Sequence, residues 1–150
     1  MRVLGIDLGT KRIGIALSNS DRTVATPYTV ITRSNDKDQD RKQIIEIANE
    51  WEITTLVIGL PFSLDGTLGP AAQRTKDEID ELQKLTNLEI HTFDERFTTV
   101  TAERTLRDQN IGANKSRGLV DQVAAAIILQ AWLDTQLHER SVPNKETTNG

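Results

Sequence analysis

The spacing of apolar residues changes character once along this chain, and that change limits the folds open to it. Up to residue 32 they come in three short runs, RVLGIDL (2–8), IGIALS (13–18) and ATPYTVIT (25–32), joined by links too short for a helix. The link Gly9-Thr10-Lys11-Arg12 suits a hairpin, and Pro27 moves the third run toward a sheet edge. From residue 36 the period becomes helical: Ile44, Ile47, Ala48 and Trp51 share one face, with Ser34, Asn35 and Asp36 as candidate caps. TTLVIGL (54–60) reads as a fully buried strand stopped by Pro61, followed by a loop to about residue 69 with a turn at Asp65-Gly66. Ala72, Thr75, Ile79 and Leu82 define a second helix, and LEIHTFD (88–94) alternates like a strand. Thr98 or Thr99 caps a third helix to about Gln109, with Gly112 beyond its end. The segment 119–133 is apolar on most sides, a helix packed against a sheet and entered from a flexible KSRG segment at 115–118. The order β-β-β-α-β-α-β-α-α predicts an α/β fold. Three antiparallel strands and then βα units form a mixed five-stranded sheet flanked by helices, the two later strands beside the first.

A chain of 150 residues fits one domain, assigned to 1–138, with a polar and disordered tail over 139–150. Cysteine is absent and only His91 and His138 are available. Disulfides, thiolate nucleophiles and zinc sites built on cysteine are thereby excluded, and a histidine metal cage has no material. His91 and His138 read as ordinary surface or half-buried residues, Trp51 and Trp132 as core. No apolar run approaches a membrane span, and MRVLGIDLG lacks the layout of a signal peptide, so a cytoplasmic setting is expected. The net charge of −4 by itself argues against nucleic acid. However, the stretches 36–52 and 76–84 together hold ten acids and five bases on what read as solvated helix faces, leaving the remainder slightly basic.

Chemistry has three candidate acidic positions. Asp7 interrupts a buried apolar run, where a carboxylate costs several kcal/mol unless paired or bound to a cation. Its simpler role is a turn aspartate at the strand's end. Alternation puts it on one face with Val3 and Gly5. Asp94 and Glu95 follow at the end of another strand, pointing to opposite faces if the strand continues, so only one of them meets Asp7. Asp121 lies in the first turn of the most apolar helix, where the helix dipole alone favours an acid. Three acids at one end of a sheet suit Mg²⁺ or Mn²⁺, which take oxygen ligands and activate water for attack on a phosphodiester. Basic residues accompany each acid: Lys11 and Arg12 after Asp7, Arg96 after Glu95, Lys115 and Arg117 before Asp121. That recurrence suits contact with a phosphate backbone.

Four blocks, GIDLGTKRIGIALS (5–18), VIGLPFSLDGTLG (57–69), DERFTTVTAE (94–103) and VDQVAAAIILQAWL (120–133), resemble in order and spacing the motifs of the YqgF/RuvX family. That family comprises pre-16S rRNA nucleases, also described as Holliday junction resolvase-like proteins. The resemblance spans residues 1 to about 135. It implies an RNase H-like fold and a metal-dependent endonuclease, with the family's acids falling on Asp7, Glu95 and Asp121 and its basic motif positions on Lys11, Arg12 and Arg96. It also implies three carboxylates rather than the four of junction resolvases. Gly59-Leu60-Pro61 stands where those carry an acid, and Ala124 stands three residues after Asp121. The expected function is processing of the 5′ end of pre-16S rRNA, with nucleic acid and ribosomal precursor particles as partners, no membrane, and a monomer or homodimer. The alternatives are a Holliday junction resolvase, which needs a two-fold dimer, and a non-catalytic ribosome-biogenesis factor. GIDLGT also resembles the phosphate loop of actin-like ATPases and sugar kinases, but those close two such lobes on ATP and 150 residues supply one.

Overall fold

Strand alternation sorts the apolar residues into two layers, one on each face of a single sheet. A computed structural model of the chain describes residues 1–63, 65–98 and 117–141, and the side chains of 117–120, 140 and 141 fall outside that description. The strands are β1 (Val3–Leu8), β2 (Arg12–Ser18), β3 (Ala25–Thr32), β4 (Thr55–Leu60) and β5 (Glu89–Asp94). The helices are α1 (Lys37–Glu50), α2 (Pro70–Leu85) and α3 (Arg117–Ser141), with a 3₁₀ turn at Glu95–Phe97.

The sheet runs β3-β2-β1-β4-β5. β1, β2 and β3 pair antiparallel, whereas β4 lies parallel to β1 and β5 parallel to β4. Of the two later strands, only β4 therefore sits directly beside the first; each βα crossover steps one strand further out. β3 is the edge that Pro27 predicts. Ile15 faces Thr29 and Ala16 faces Pro27, so Tyr28 is the extra residue of a bulge that bends this edge.

Leu4, Ile6, Ile13, Ile15, Leu56 and Ile58 pack beneath α1 and α2 against Ile44, Ala48 and Leu82. Val3, Ala16 and Val57 face the other way, against Ala125, Ile128, Leu129, Trp132 and Leu133 of α3. α3 is apolar on most sides over 119–133, the part sunk into that face. Trp132 is core as expected. Trp51 is only half-buried and sits edge-on to Tyr28, ring centroids 5.6 Å apart.

α3 begins at Arg117, so Asp121 lies beyond the first turn rather than within it. Gly118 costs a helix about 1 kcal/mol, which the buried length downstream outweighs. At its other end α3 continues to Ser141. The helix expected from Thr98 or Thr99 to Gln109 lies outside the described residues, as do 142–150. Among the described residues no helix is long and apolar enough to cross a membrane.

Candidate active site

β1, β3, β4 and β5 all point the same way, so their carboxyl ends share one sheet edge. The site forms there. Asp7, near the end of β1, lies opposite Gly14 on the face toward α3 and is 3% exposed. Glu95, in the 3₁₀ turn after β5, is 1% exposed, and Asp121 of α3 is 7% exposed. All three wall one cleft of about 590 Å³, together with Leu8, Gly9, Gly59 and Pro61.

Two glycines make this convergence possible. A Cβ on Gly14 would collide with the backbone carbonyl of Asp121. A Cβ on Gly59 would lie 2.8 Å from Oε1 of Glu95 and 2.6 Å from Cδ1 of Ile128. The strand that carries Gly59 in place of an acid thus leaves the space that the Glu95 carboxyl uses.

The choice between Asp94 and Glu95, open on alternation alone, falls to Glu95. Strand geometry stops at Asp94, whose side chain caps the 3₁₀ turn by accepting from the Arg96 backbone N–H at 2.9 Å. The same carboxylate takes the Arg96 Nε–H at 2.9 Å. That guanidinium holds the Asp94 carboxyl below its ordinary value. Arg96 in turn lies 5.5 Å from the Phe62 ring centroid and 5.8 Å from that of Phe97, which is 76% exposed.

The basic candidates divide. Arg12 donates through Nε to Oδ2 of Asp121 at 2.7 Å. Lys11 is exposed, and neither it nor Arg96 lines the cleft. Lys115 lies outside the described residues, and Arg117 opens α3 with its side chain outside them. The residues that sequence reasoning missed are Arg33, Lys37, Arg41, Arg74 and Glu78, all on the cleft wall. The available signal was topological: α1 and α2 start at the same sheet edge as Asp7, so their N-terminal portions are wall rather than solvated face.

By donor type the acids fit a hard divalent cation, being all oxygen and shielded from water. Among the described residues, however, no three His, Asp or Glu side chains are drawn closely enough together to hold a metal ion. The acids share a cleft, and Asp121 is turned to Arg12.

Comparison with known proteins agrees with this architecture. The family model described as "RuvX: Holliday junction resolvase" matches residues 1–135. A relative from Anaeromyxobacter sp. (strain Fw109-5), named "Putative pre-16S rRNA nuclease", is 42% identical over 134 residues, covering 89% of this chain and 97% of its own. One from Halothermothrix orenii, with the same name, is 39% identical, covering 91% and 96%. Among solved structures, T. thermophilus RuvC in complex with Holliday junction substrate superposes with a TM-score of 0.57 over 92% of this chain and 96% of that one. At 14% identity this likeness speaks for the fold alone. On the length and identity of these matches, with the five-stranded RNase H-like sheet beneath them, the chain belongs to the RuvX family.

Proposed function

We propose that this protein is a divalent-metal-dependent endonuclease that hydrolyses phosphodiester bonds in RNA, at the 5′ end of pre-16S rRNA. One observation carries the reading: three acids remote in sequence are each more than nine-tenths buried and yet wall the same cleft. Buried carboxylates are costly unless cations meet them, and a site for phosphate chemistry is where such a grouping has a use. Asp7, Glu95 and Asp121 are the residues that would hold Mg²⁺ or Mn²⁺, for which their carboxylates have to draw closer together than they stand here. Such an ion would supply Lewis acidity and lower the pKa of bound water. An oxygen of these carboxylates left off the ion would orient the attacking water and accept its proton. An oxygen–phosphorus bond forms, the ester P–O bond opposite it breaks, and the leaving oxygen takes up a proton. Lys11, Arg12, Arg96, Lys115 and Arg117 are assigned to the substrate backbone, with Arg12 held in place by Asp121.

Asp7→Asn removes one carboxylate with almost no change of shape. Cleavage of a labelled pre-16S leader RNA in Mg²⁺ or Mn²⁺ is expected to fall by more than the roughly 10–100-fold that loss of an outer-sphere partner costs. The circular dichroism spectrum should not change. Undiminished cutting by this variant overturns the assignment.

The Arg12–Asp121 pair favours a second reading, a nucleic-acid-binding ribosome-biogenesis factor in which the acids serve folding. Binding of the leader RNA without cleavage in either ion supports it. Selective cutting of a four-way junction by a two-fold dimer points instead to resolvase activity.

A further inference from the structure

The cleft does not end at the three acids. It also reaches Leu8-Gly9-Thr10, Arg33 after β3, and the N-terminal halves of α1 and α2, where Lys37, Arg41 and Arg74 enter its wall. Its 590 Å³ is of the size that holds a whole small ligand, more than one phosphodiester group fills.

Charges in this arm are unevenly matched. Arg33 closes its guanidinium on Glu78, at 2.7 and 2.6 Å, and donates through Nε to the Gly9 carbonyl at 2.7 Å. Arg41 donates to Asp38 at 2.9 Å and lies 3.9 Å from Glu78. The remaining acids of this wall are also engaged: Asp77 accepts from Gln73 at 2.8 Å and Glu81 from Lys84 at 3.0 Å. Lys37 and Arg74 are left over. Both are exposed, and among the described residues neither makes a hydrogen bond or ion pair. Lys37 is moreover the first residue of α1, where the helix dipole repels a cation and the neighbouring Asp36 and Asp38 follow the usual preference for acids. Departures from such a local preference are found mainly at functional sites.

We infer that Lys37 and Arg74 form a second phosphate subsite, which holds the backbone of the nucleic-acid strand beyond the bond to be cut. The inference rests on the nuclease reading and adds the path of the strand, from the acids over Gly9-Thr10 and between the starts of α1 and α2. The Arg33–Glu78–Arg41 cluster ties the start of α1 to the middle of α2.

The test is binding of fluorescein-labelled single-stranded RNA to the full chain, followed by anisotropy across a salt series without divalent ion. Lys37→Gln, Arg74→Gln and the double variant are compared with Lys42→Gln, an exposed α1 lysine outside the cleft wall. Each lost phosphate contact lowers the magnitude of the log K against log salt slope by about 0.7, so the double variant should lose about 1.4 and Lys42→Gln nothing. In Mg²⁺ the double variant should raise KM with kcat nearly unchanged, since the contact is made before and during reaction alike. A double variant with the parent slope and affinity overturns the subsite and leaves the nuclease reading standing. A parent protein with no salt-dependent RNA binding overturns both.

Discussion

Gly14 on β2 and Gly59 on β4 lie on the two strands that flank β1, but substitution at each meets a different kind of obstacle. At Gly14 a methyl group meets the backbone carbonyl of Asp121, which moves only if α3 moves. At Gly59 it meets the tips of the Glu95 and Ile128 side chains, which can rotate away. Overpacking costs typically 1–3 kcal/mol. Gly14→Ala is therefore expected near about 3 kcal/mol and Gly59→Ala near about 1 kcal/mol, measured by urea denaturation. Gly59→Ala should nonetheless impair cleavage, because what gives way is the Glu95 carboxyl. Equal stability losses, or full activity in Gly59→Ala, would contradict this. At this scale Asp7 was legible because a carboxylate inside an apolar strand has few explanations. The choice of Glu95 over Asp94 came from the motif resemblance and not from alternation, which loses its meaning where β5 gives way to the 3₁₀ turn.

Among elements, that turn has the most direct consequence for the site, since it carries Glu95. Its entry is fixed by Asp94, which caps it and clasps Arg96. Arg96, chiefly through its side-chain hydrogen bond, lowers the Asp94 pKa below 3.8. The folded protein therefore binds this proton less readily than the unfolded chain. The resulting stabilisation is complete above the unfolded value and disappears as pH falls through the lower folded one. Urea midpoints collected from roughly pH 5 downward should show a decline to which Asp94 contributes, and Asp94→Asn should flatten that part of the curve. An identical pH dependence in the variant would remove Asp94 from the account. Elements with strong periodicity were legible to within a residue or two: β3 spans the predicted 25–32, and Asp36 caps α1. The start of α3 was not, because a Gly near a helix end reads as a flexible entry until the burial of the whole helix is known.

For the molecule as a whole, Arg33 acts as a strap. It joins the residue after β3 to the turn after β1 through Gly9 and to α2 through Glu78, with both charged side chains 13% exposed. Glu78 holds the Arg33 guanidinium protonated still more firmly than usual. Removing one partner strands the other in a poorly hydrated place. Arg33→Ala is expected to cost about 3 kcal/mol, and the Arg33→Ala/Glu78→Ala pair clearly less than the sum of the single changes. Additive losses would show that the two do not act together. No pattern in the sequence pointed to this contact, since 45 positions separate its ends. What the sequence determined by itself was local: which segments are strands or helices, which face of each is apolar, and which acids are out of place in apolar surroundings. These follow from periodicity and from the cost of burying charge. Only the tertiary structure decided which strand lies beside which, that α1 and α2 open onto the same edge as Asp7, and which cations of that edge have partners. Pairing across the sheet and between helices depends on distances through space, and spacing along the chain does not encode them.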